Sequence, residues 1–497
     1  MLLPRHWLLL ILSILLVACQ KSQNWKISLP DSGTYSSPRA ADLNNDQVKD
    51  IIFGAGGQEE WEASEYGVVA VNGKNGRVLW TLPCRNQVVG SPVFFDISGD
   101  HVPDVFIGGR SAQFFAIDGR SGQLIWEYRS TIPGHDYLND TSVLNFYNPQ
   151  LIPDQDEDGM EDLLVSYGGF VKARPYDIER PAGYLMVLST KSGAVIAQAA
   201  MPDGLETYMS PVTDRHSGKT WIYFGTGGET IAGNFYVTSL ADILDGHISS
   251  HKLLAEGFEK GFIAPPILVD LNYDQILDPV VNAYEGKVLA IDGRTHQIMW
   301  EAQLGSPSEI QFGNPFETHS QPAIGQYTGD TVPDFFINAG KGSWPSFEYS
   351  VQFVVDGSNG NVHKIDSLGK MQYASPLPVI DRQTGENLIF FPVTSVEETG
   401  NAAESGLQTE IYYSDLYVLN PKTKENKILA HRAGINIGST VLIDDLEGDG
   451  NYECLFIYNS VGKTPFFFTG LNIEKLPLPG IYSKWNQYMG KNGASRY

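Results

Sequence analysis

Aspartates recur in this chain at a spacing suited to a bound cation. Six segments set oxygen-bearing side chains at offsets 0, 2, 4 and 8: Asp42, Asn44, Asp46, Asp50; Asp96, Ser98, Asp100, Asp104; Asp154, Asp156, Asp158, Asp162; Asp270, Asn272, Asp274, Asp278; Gln326, Thr328, Asp330, Asp334; and Asp445, Glu447, Asp449, Glu453. Calcium takes about six to eight oxygens at about 2.3–2.6 Å, and alternate residues of a bent loop point at its centre. The pattern predicts structural Ca2+ sites in which the last carboxylate closes the shell. Gly159 and Gly450 stand where such a loop must turn sharply, whereas the Gln326 loop lacks its first carboxylates. The competing reading is local: Asp and Asn bond their own backbone in Asx turns. Six copies in one phase favour calcium in at least two loops.

Other reactive groupings are sparse, and no residue is assigned a catalytic role. There is no nucleophile elbow, phosphate-binding Gly-Lys loop or His-Glu-x-x-His zinc motif. His135 with Asp136, and Glu317 with His319, are the acid–base pairs the sequence offers, neither at a diagnostic spacing. Cys19, Cys84 and Cys454 are the three cysteines, too few for a disulfide framework.

The elements that position the aspartates form a repeat of about 57 residues, each copy opening with a Ser-Pro-like pair near Ser37, Ser91, Asn148, Ser210, Ala264, Ser320, Ser375 and Gly438. A copy reads strand, acidic loop, strand, polar loop, strand, glycine turn, strand, and four strands make one propeller blade. The third and fourth strands carry an Ala-Ile-Asp-Gly-type segment and, after four further residues, two apolar residues and a tryptophan, which makes Trp80, Trp126 and Trp300 inter-blade packing residues. The expected fold is an all-β, eight-bladed β-propeller, with seven blades as the alternative. The eighth copy lacks a fourth strand, and the segment around Trp25 matches the one around Trp80, so an N-terminal strand is expected to close the last blade. The expected division is 1–18 leader, 19–23 tether, 24–484 propeller and 485–497 extension.

Insertions sort by face. In a propeller the second-to-third and blade-to-blade connections share one face, and the aspartate loops and glycine turns share the other. Residues 58–66, 170–183, 341–350 and 395–415, and 131–147, 248–263 and 305–320, all read as long loops on the face away from the aspartates. Binding residues concentrate on such loops. Candidate ligand contacts there are Trp61, His135, Tyr137, Arg174, Tyr176, Tyr208, Phe316, His319 and Trp344.

The aspartate loops with their following strand, as in Asp50-Ile51-Ile52-Phe53-Gly54, resemble FG-GAP repeats of the integrin α type. The stretch from Ala116 to Trp126 is similar to the quinoprotein-type propeller repeat. At the N-terminus an apolar run over 7–17 leads into Leu16-Val17-Ala18-Cys19, which resembles a bacterial lipobox with Cys19 as the lipidated residue. The lipobox resemblance implies a membrane-anchored bacterial outer-membrane lipoprotein, periplasmic or surface-exposed. The net charge of −24 argues against nucleic acid and for neutral or cationic partners. The resulting expectation is a calcium-binding module that binds or scaffolds a protein or glycan on the long-loop face, comparable to BamB-type assembly lipoproteins. The alternatives are a calcium-dependent polysaccharide-acting enzyme resembling rhamnogalacturonan lyases and, third, a quinone-cofactor dehydrogenase, whose family commonly pairs adjacent cysteines that this chain lacks.

Overall fold

The computed structural model describes residues 24–129, 143–170, 173–311, 316–344, 346–399, 409–462 and 464–497. Eight antiparallel sheets follow one another along the chain, giving an eight-bladed β-propeller. Their innermost strands are Arg39–Ala41, Val93–Phe95, Gln150–Ile152, Val212–His216, Ile267–Val269, Ala323–Gly325, Leu377–Asp381 and Leu442–Asp444. The N-terminal strand Lys26–Pro30 pairs antiparallel with Phe468–Leu478, becoming the outer strand of the eighth blade. That closure joins the two ends of the ring and removes the open edge a propeller would otherwise present.

The tryptophans act as the spacing predicted. Trp80 Nε1 donates to the Gly119 carbonyl of the next blade (2.8 Å), Trp126 to Thr190 (2.7 Å), Trp300 to Gly357 (2.7 Å) and Trp25 to Gly73 (2.9 Å). Apolar layers fill the space between blades; Ile52, Ala70 and Trp80 of the first meet Val105, Ile107, Phe115 and Ile117 of the second. The recurring glycines at the end of the second strand let the next blade's incoming segment cross. A Cβ at Gly54 would lie 2.2 Å from the Val88 carbonyl, and one at Gly168 2.5 Å from that of Thr207.

The Ser-Pro-like pairs have a function that the sequence did not disclose. Their hydroxyls and amides link successive blades near the axis. The Asn148 amide donates to Ser210 Oγ (3.3 Å), Gln321 to Ser375 Oγ (3.0 Å), Ser375 to Thr440 Oγ1 (2.9 Å) and Thr440 to Ser37 Oγ (3.0 Å).

Three expectations about connections change. The described parts of 341–350 and 395–415 are mostly strand: Asp334–Ser343 pairs with Ser346–Val355, and Asn387–Thr399 with Thr409–Leu419, as extended arms. The alternating β-branched and aromatic residues of these arms suit half-buried strands. Within 248–263 lies Lys252–Glu256, the outer strand of the fourth blade, reached through a capped helix at Leu240–Leu244. Residues beyond 484 are no mere appendage. Ile481–Tyr482 pairs with the inner strand of the seventh blade, and the following segment enters the central channel from the aspartate-loop end. There the Ile443 amide donates to the Asn486 carbonyl (2.8 Å), Gln321 Nε2 to Ser495 Oγ (2.8 Å), Leu268 to the Ser495 carbonyl (2.7 Å) and Arg496 to the Thr213 carbonyl (2.7 Å). Gln150 also donates to the Gly493 carbonyl, and Trp485 and Met489 are buried. Packed against so many inner strands, this segment is part of the core.

Candidate functional site

On the aspartate-loop face each loop is a network of Asx turns. The first aspartate caps the loop: Asp270 accepts from the amides of Asp274 (3.0 Å) and Gln275 (2.9 Å), and Asp445 from Asp449 (3.0 Å) and Gly450 (2.9 Å). The offset-4 aspartate accepts from the amide two residues on, as Asp46 does from Val48 and Asp158 from Met160 (both 2.9 Å). The last carboxylate is buried and ties the loop to the glycine turn. Asp50 accepts from the amides of Leu43 (3.0 Å) and Gly73 (3.2 Å), Asp104 from Ile97 (2.8 Å) and Gly119 (3.1 Å), and Asp278 from Leu271 (2.9 Å) and Gly293 (2.8 Å). Burial pushes Asp50 and Asp278 up to about 6. Asp334 of the Gln326 loop is anchored alike, by Tyr327 and Gly357.

Several would-be ligands are already neutralised. Arg120 pairs with Asp100 (2.6 Å), Arg294 with Asp274 (2.7 Å) and buried Lys475 with Glu447 (2.9 Å), while Asn44 donates to Asp50 and Asn272 to Asp292. The third loop differs. There Ser189 and Thr190 stand where the second blade has Asp118 and Gly119, the Thr190 hydroxyl donates to the Glu161 carbonyl (2.6 Å), and Asp162 Oδ1 is left buried without a partner. Asp154, Asp156 and Asp162 bring ligating oxygens within 4.8 Å of one another, the one such grouping among the described residues. Asp42, Asp96, Asp270 and Asp445 belong to no such grouping there. The donor set of the third loop therefore fits a hard cation, with Asp158 beside it and the Lys191 ammonium 3.9 Å from the Asp158 carboxylate.

On the opposite face the long connections surround a polar funnel at the channel mouth. Tyr35 donates to Glu60 (2.8 Å), which also pairs with Arg110 (2.8 Å). Arg180 pairs with buried Glu206 (2.6 Å) and approaches the Tyr208 hydroxyl at 3.5 Å. Lys260 contacts Glu317 and lies 4.9 Å from the centre of the Tyr284 ring, and the Tyr284 hydroxyl lies 2.8 Å from His319 Nε2. Tyr147 and Tyr208 have centroids 5.9 Å apart; those of His319 and Tyr373 are separated by 4.5 Å. Three carboxylates of the funnel thus carry their own cation. The fourth, Glu229, sits on the turn between Lys219–Gly225 and Asn234–Ser239, half-buried, with no hydrogen-bond or ion-pair partner among the described residues. Burial, then the charge of Glu229, pushes the Tyr208 hydroxyl well up.

The candidate ligand residues divide. Trp61, Arg174 and Tyr176 are exposed on the rim, joined by Ile178 (83 % exposed) and Phe258 (82 %). Tyr208 and His319 line the funnel, and the Trp344 amide donates to Glu317 (2.9 Å). Phe316 is a correction: it is buried, packed on Phe353 with centroids 5.2 Å apart and beneath the Lys341 ammonium, so it holds its loop instead of facing a ligand. Glu317 and His319 do not form a dyad, since Lys260 and Trp344 hold one and Tyr284 the other. His135, Tyr137 and Cys19 lie outside the described residues, and Cys84 and Cys454 are free and buried. Sequence reasoning missed Glu229 and most of the tyrosines. A signal existed: Tyr35, Tyr208, Phe262 and Tyr373 each stand two residues before the first residue of a Ser-Pro-like pair.

This architecture defines an eight-bladed β-propeller with one long-loop face and a filled channel. The FAM234A/B beta-propeller family matches residues 25–433, and the chain belongs to that family. It is 22% identical to mouse (Mus musculus) FAM234B over 482 residues, covering 90% of this chain and 70% of that protein. With bovine (Bos taurus) FAM234A the match is 29% identical over 157 residues, 28% of this chain and 27% of the relative's length. Among solved structures, a europium-containing methanol dehydrogenase aligns with a TM-score of 0.55 at 12% identity, covering 91% of this chain and 92% of its own. The quinohemoprotein alcohol dehydrogenase of Comamonas testosteroni gives 0.52 at 10% identity, covering 91% and 76%. Both likenesses show the fold alone. The mammalian relatives overturn the expected placement as a bacterial outer-membrane lipoprotein, periplasmic or surface-exposed, which rested on the lipobox resemblance alone.

Proposed function

We propose that this chain is a binding or scaffolding module that takes a protein or glycan partner on its long-loop face and anchors a cationic group of that partner at Glu229. The observation that carries this reading is the carboxylate of Glu229, unpaired among the described residues, inside a tyrosine-lined funnel where Glu60, Glu206 and Glu317 are paired. A carboxylate beside aromatic rings suits an ammonium or guanidinium, held by charge and by cation–π attraction. The exposed apolar tips at Trp61, Tyr176, Ile178 and Phe258 then supply rim contacts. Calcium in the third aspartate loop is part of the same reading, as a structural ion that holds its blade rigid; Asp154, Asp156 and Asp162 would hold it.

Arrays of basic peptides and of glycans, probed with the wild-type chain, Glu229→Gln, Trp61→Ala and the opposite-face control Lys484→Ala, test the reading. A ligand lost in the first two variants and kept in the control supports it. Binding that survives both loop-face changes, or no binding to either array, overturns it.

A further inference from the structure

At the other end of the channel, the aspartate-loop end, a cavity of about 330 Å3 lies between the inner strands and the C-terminal segment. Its walls include Arg39, Lys49, Asp444, Asn486, Gln487 and Lys491. Lys49 is already paired with Asp444 at 2.7 Å. The other two cations are not: neither Arg39 nor Lys491 forms an ion pair among the described residues.

Arg39 is the unusual member. It opens the inner strand of the first blade and is only 2 % exposed. Its guanidinium reaches two carbonyls, Pro92 at 2.8 Å and Tyr488 at 3.5 Å, and its Nε is buried without a partner. A guanidinium has five donors in a planar fork, and a buried one ordinarily meets a carboxylate or another anion. Burial without a counter-charge pulls Arg39 down to about 10. Gly493 closes over the group so tightly that a Cβ there would lie 2.3 Å from Nη2. In a chain of net charge −24, a pocket holding two unneutralised cations and two side-chain amides is a local exception.

We propose that this axial cavity binds a small oxyanion, phosphate or carboxylate in chemistry, whose oxygens bridge Arg39 of the ring to Lys491 of the C-terminal segment. Asn486 and Gln487 amides complete the donor set. The volume falls at the lower end of the roughly 300–1,000 Å3 range of small-molecule sites. The charge pattern selects an anion over a neutral ligand. A bound anion would tie the segment to the ring and stabilise the fold by ligand linkage. This inference is independent of the loop-face reading, since no residue is shared.

The test is isothermal titration of the full chain with inorganic phosphate and, separately, with citrate, at constant ionic strength in chloride. One-to-one binding of either anion is expected, and the arm that binds assigns the phosphate or the carboxylate class. Lys491→Ala, on an exposed side chain, should weaken binding at least tenfold with an unchanged melting temperature in the absence of ligand. Lys484→Ala, outside the cavity, should leave affinity unaltered. Arg39→Lys, which keeps the charge and loses the fork, should bind more weakly than wild type. The absence of saturable binding by both anions at millimolar concentration overturns the proposal, as does an affinity unchanged in Lys491→Ala.

Discussion

The two faces of the ring are built by opposite means. On the aspartate-loop face nearly every contact is short-range: each carboxylate serves amides within its own blade, and the order repeats from blade to blade. On the long-loop face the ties run between blades, as from Arg110 to Glu60 or Lys260 to Glu317, and these two differ from each other in residue types and position. A repeated local network fixes geometry cheaply and identically, while non-repeated long-range ties allow each sector to differ. In the proposed function, specificity is therefore assigned to the second face and rigidity to the first.

The difference can be broken first at the blade joints. Trp126→Ala removes a ring packed on the Gly193 turn of the next blade together with its bond to Thr190, and should cost about 3–5 kcal/mol in denaturant unfolding. A loss under about 1 kcal/mol would mean the blades are held elsewhere.

Calcium sharpens the contrast within the first face. If the third loop holds the ion, saturating calcium should raise stability by about 2.7 kcal/mol at a hundredfold excess over Kd. Calorimetry should show the rise abolished by Asp154→Asn and retained in Asp100→Asn, whose carboxylate Arg120 already occupies. An unchanged melting temperature with calcium and with chelator would remove calcium from the account.

On the funnel side, burial and the neighbouring Lys260 hold His319 at about 3, below its ordinary 6.5, with Tyr284 and Tyr373 packed on its ring. A base depressed in the fold contributes stability that is complete above about 6.5 and is lost as pH falls towards the folded value. Between pH 6.5 and 5 the loss from this group should be about 2 kcal/mol, on the order of 1.4 kcal/mol per unit. His319→Gln should flatten that part of the stability profile, and a slope unchanged by the substitution would refute the assignment.

The smallest effect is expected at the rim. Trp61, 65 % exposed, should cost within about 0.5 kcal/mol of stability as Trp61→Ala while partner binding falls. A large stability loss there would make the rim a packing element and reverse the contrast between the faces.

Much of the fold was legible because it depends on local spacing. The Ser-Pro-like starts of the repeat counted eight blades, and Trp25 matching Trp80 identified the closing strand. The insertions were misjudged where polar alternation hid strands, as in Ser346–Val355, since a solvated hairpin arm and a loop share composition. Of the candidate site, the exposed rim was foreseeable from loop length. Glu229 was not, because nothing in the sequence tells which of several loop carboxylates lacks a cation.

By itself, then, the sequence determined the repeat, the blade count, the closure and the face on which the insertions lie, all consequences of residue spacing along one chain. Whether an aspartate oxygen is a free ligand or an amide acceptor was decided only in three dimensions, where Asp104 Oδ1 meets the Gly119 amide and Asp162 Oδ1 is buried without a partner. The tertiary structure also decided that Arg39 is buried against residues near position 490 without a counter-charge. Pairing of charges and orphaning of donors depend on distances between segments hundreds of residues apart, and no local pattern encodes them.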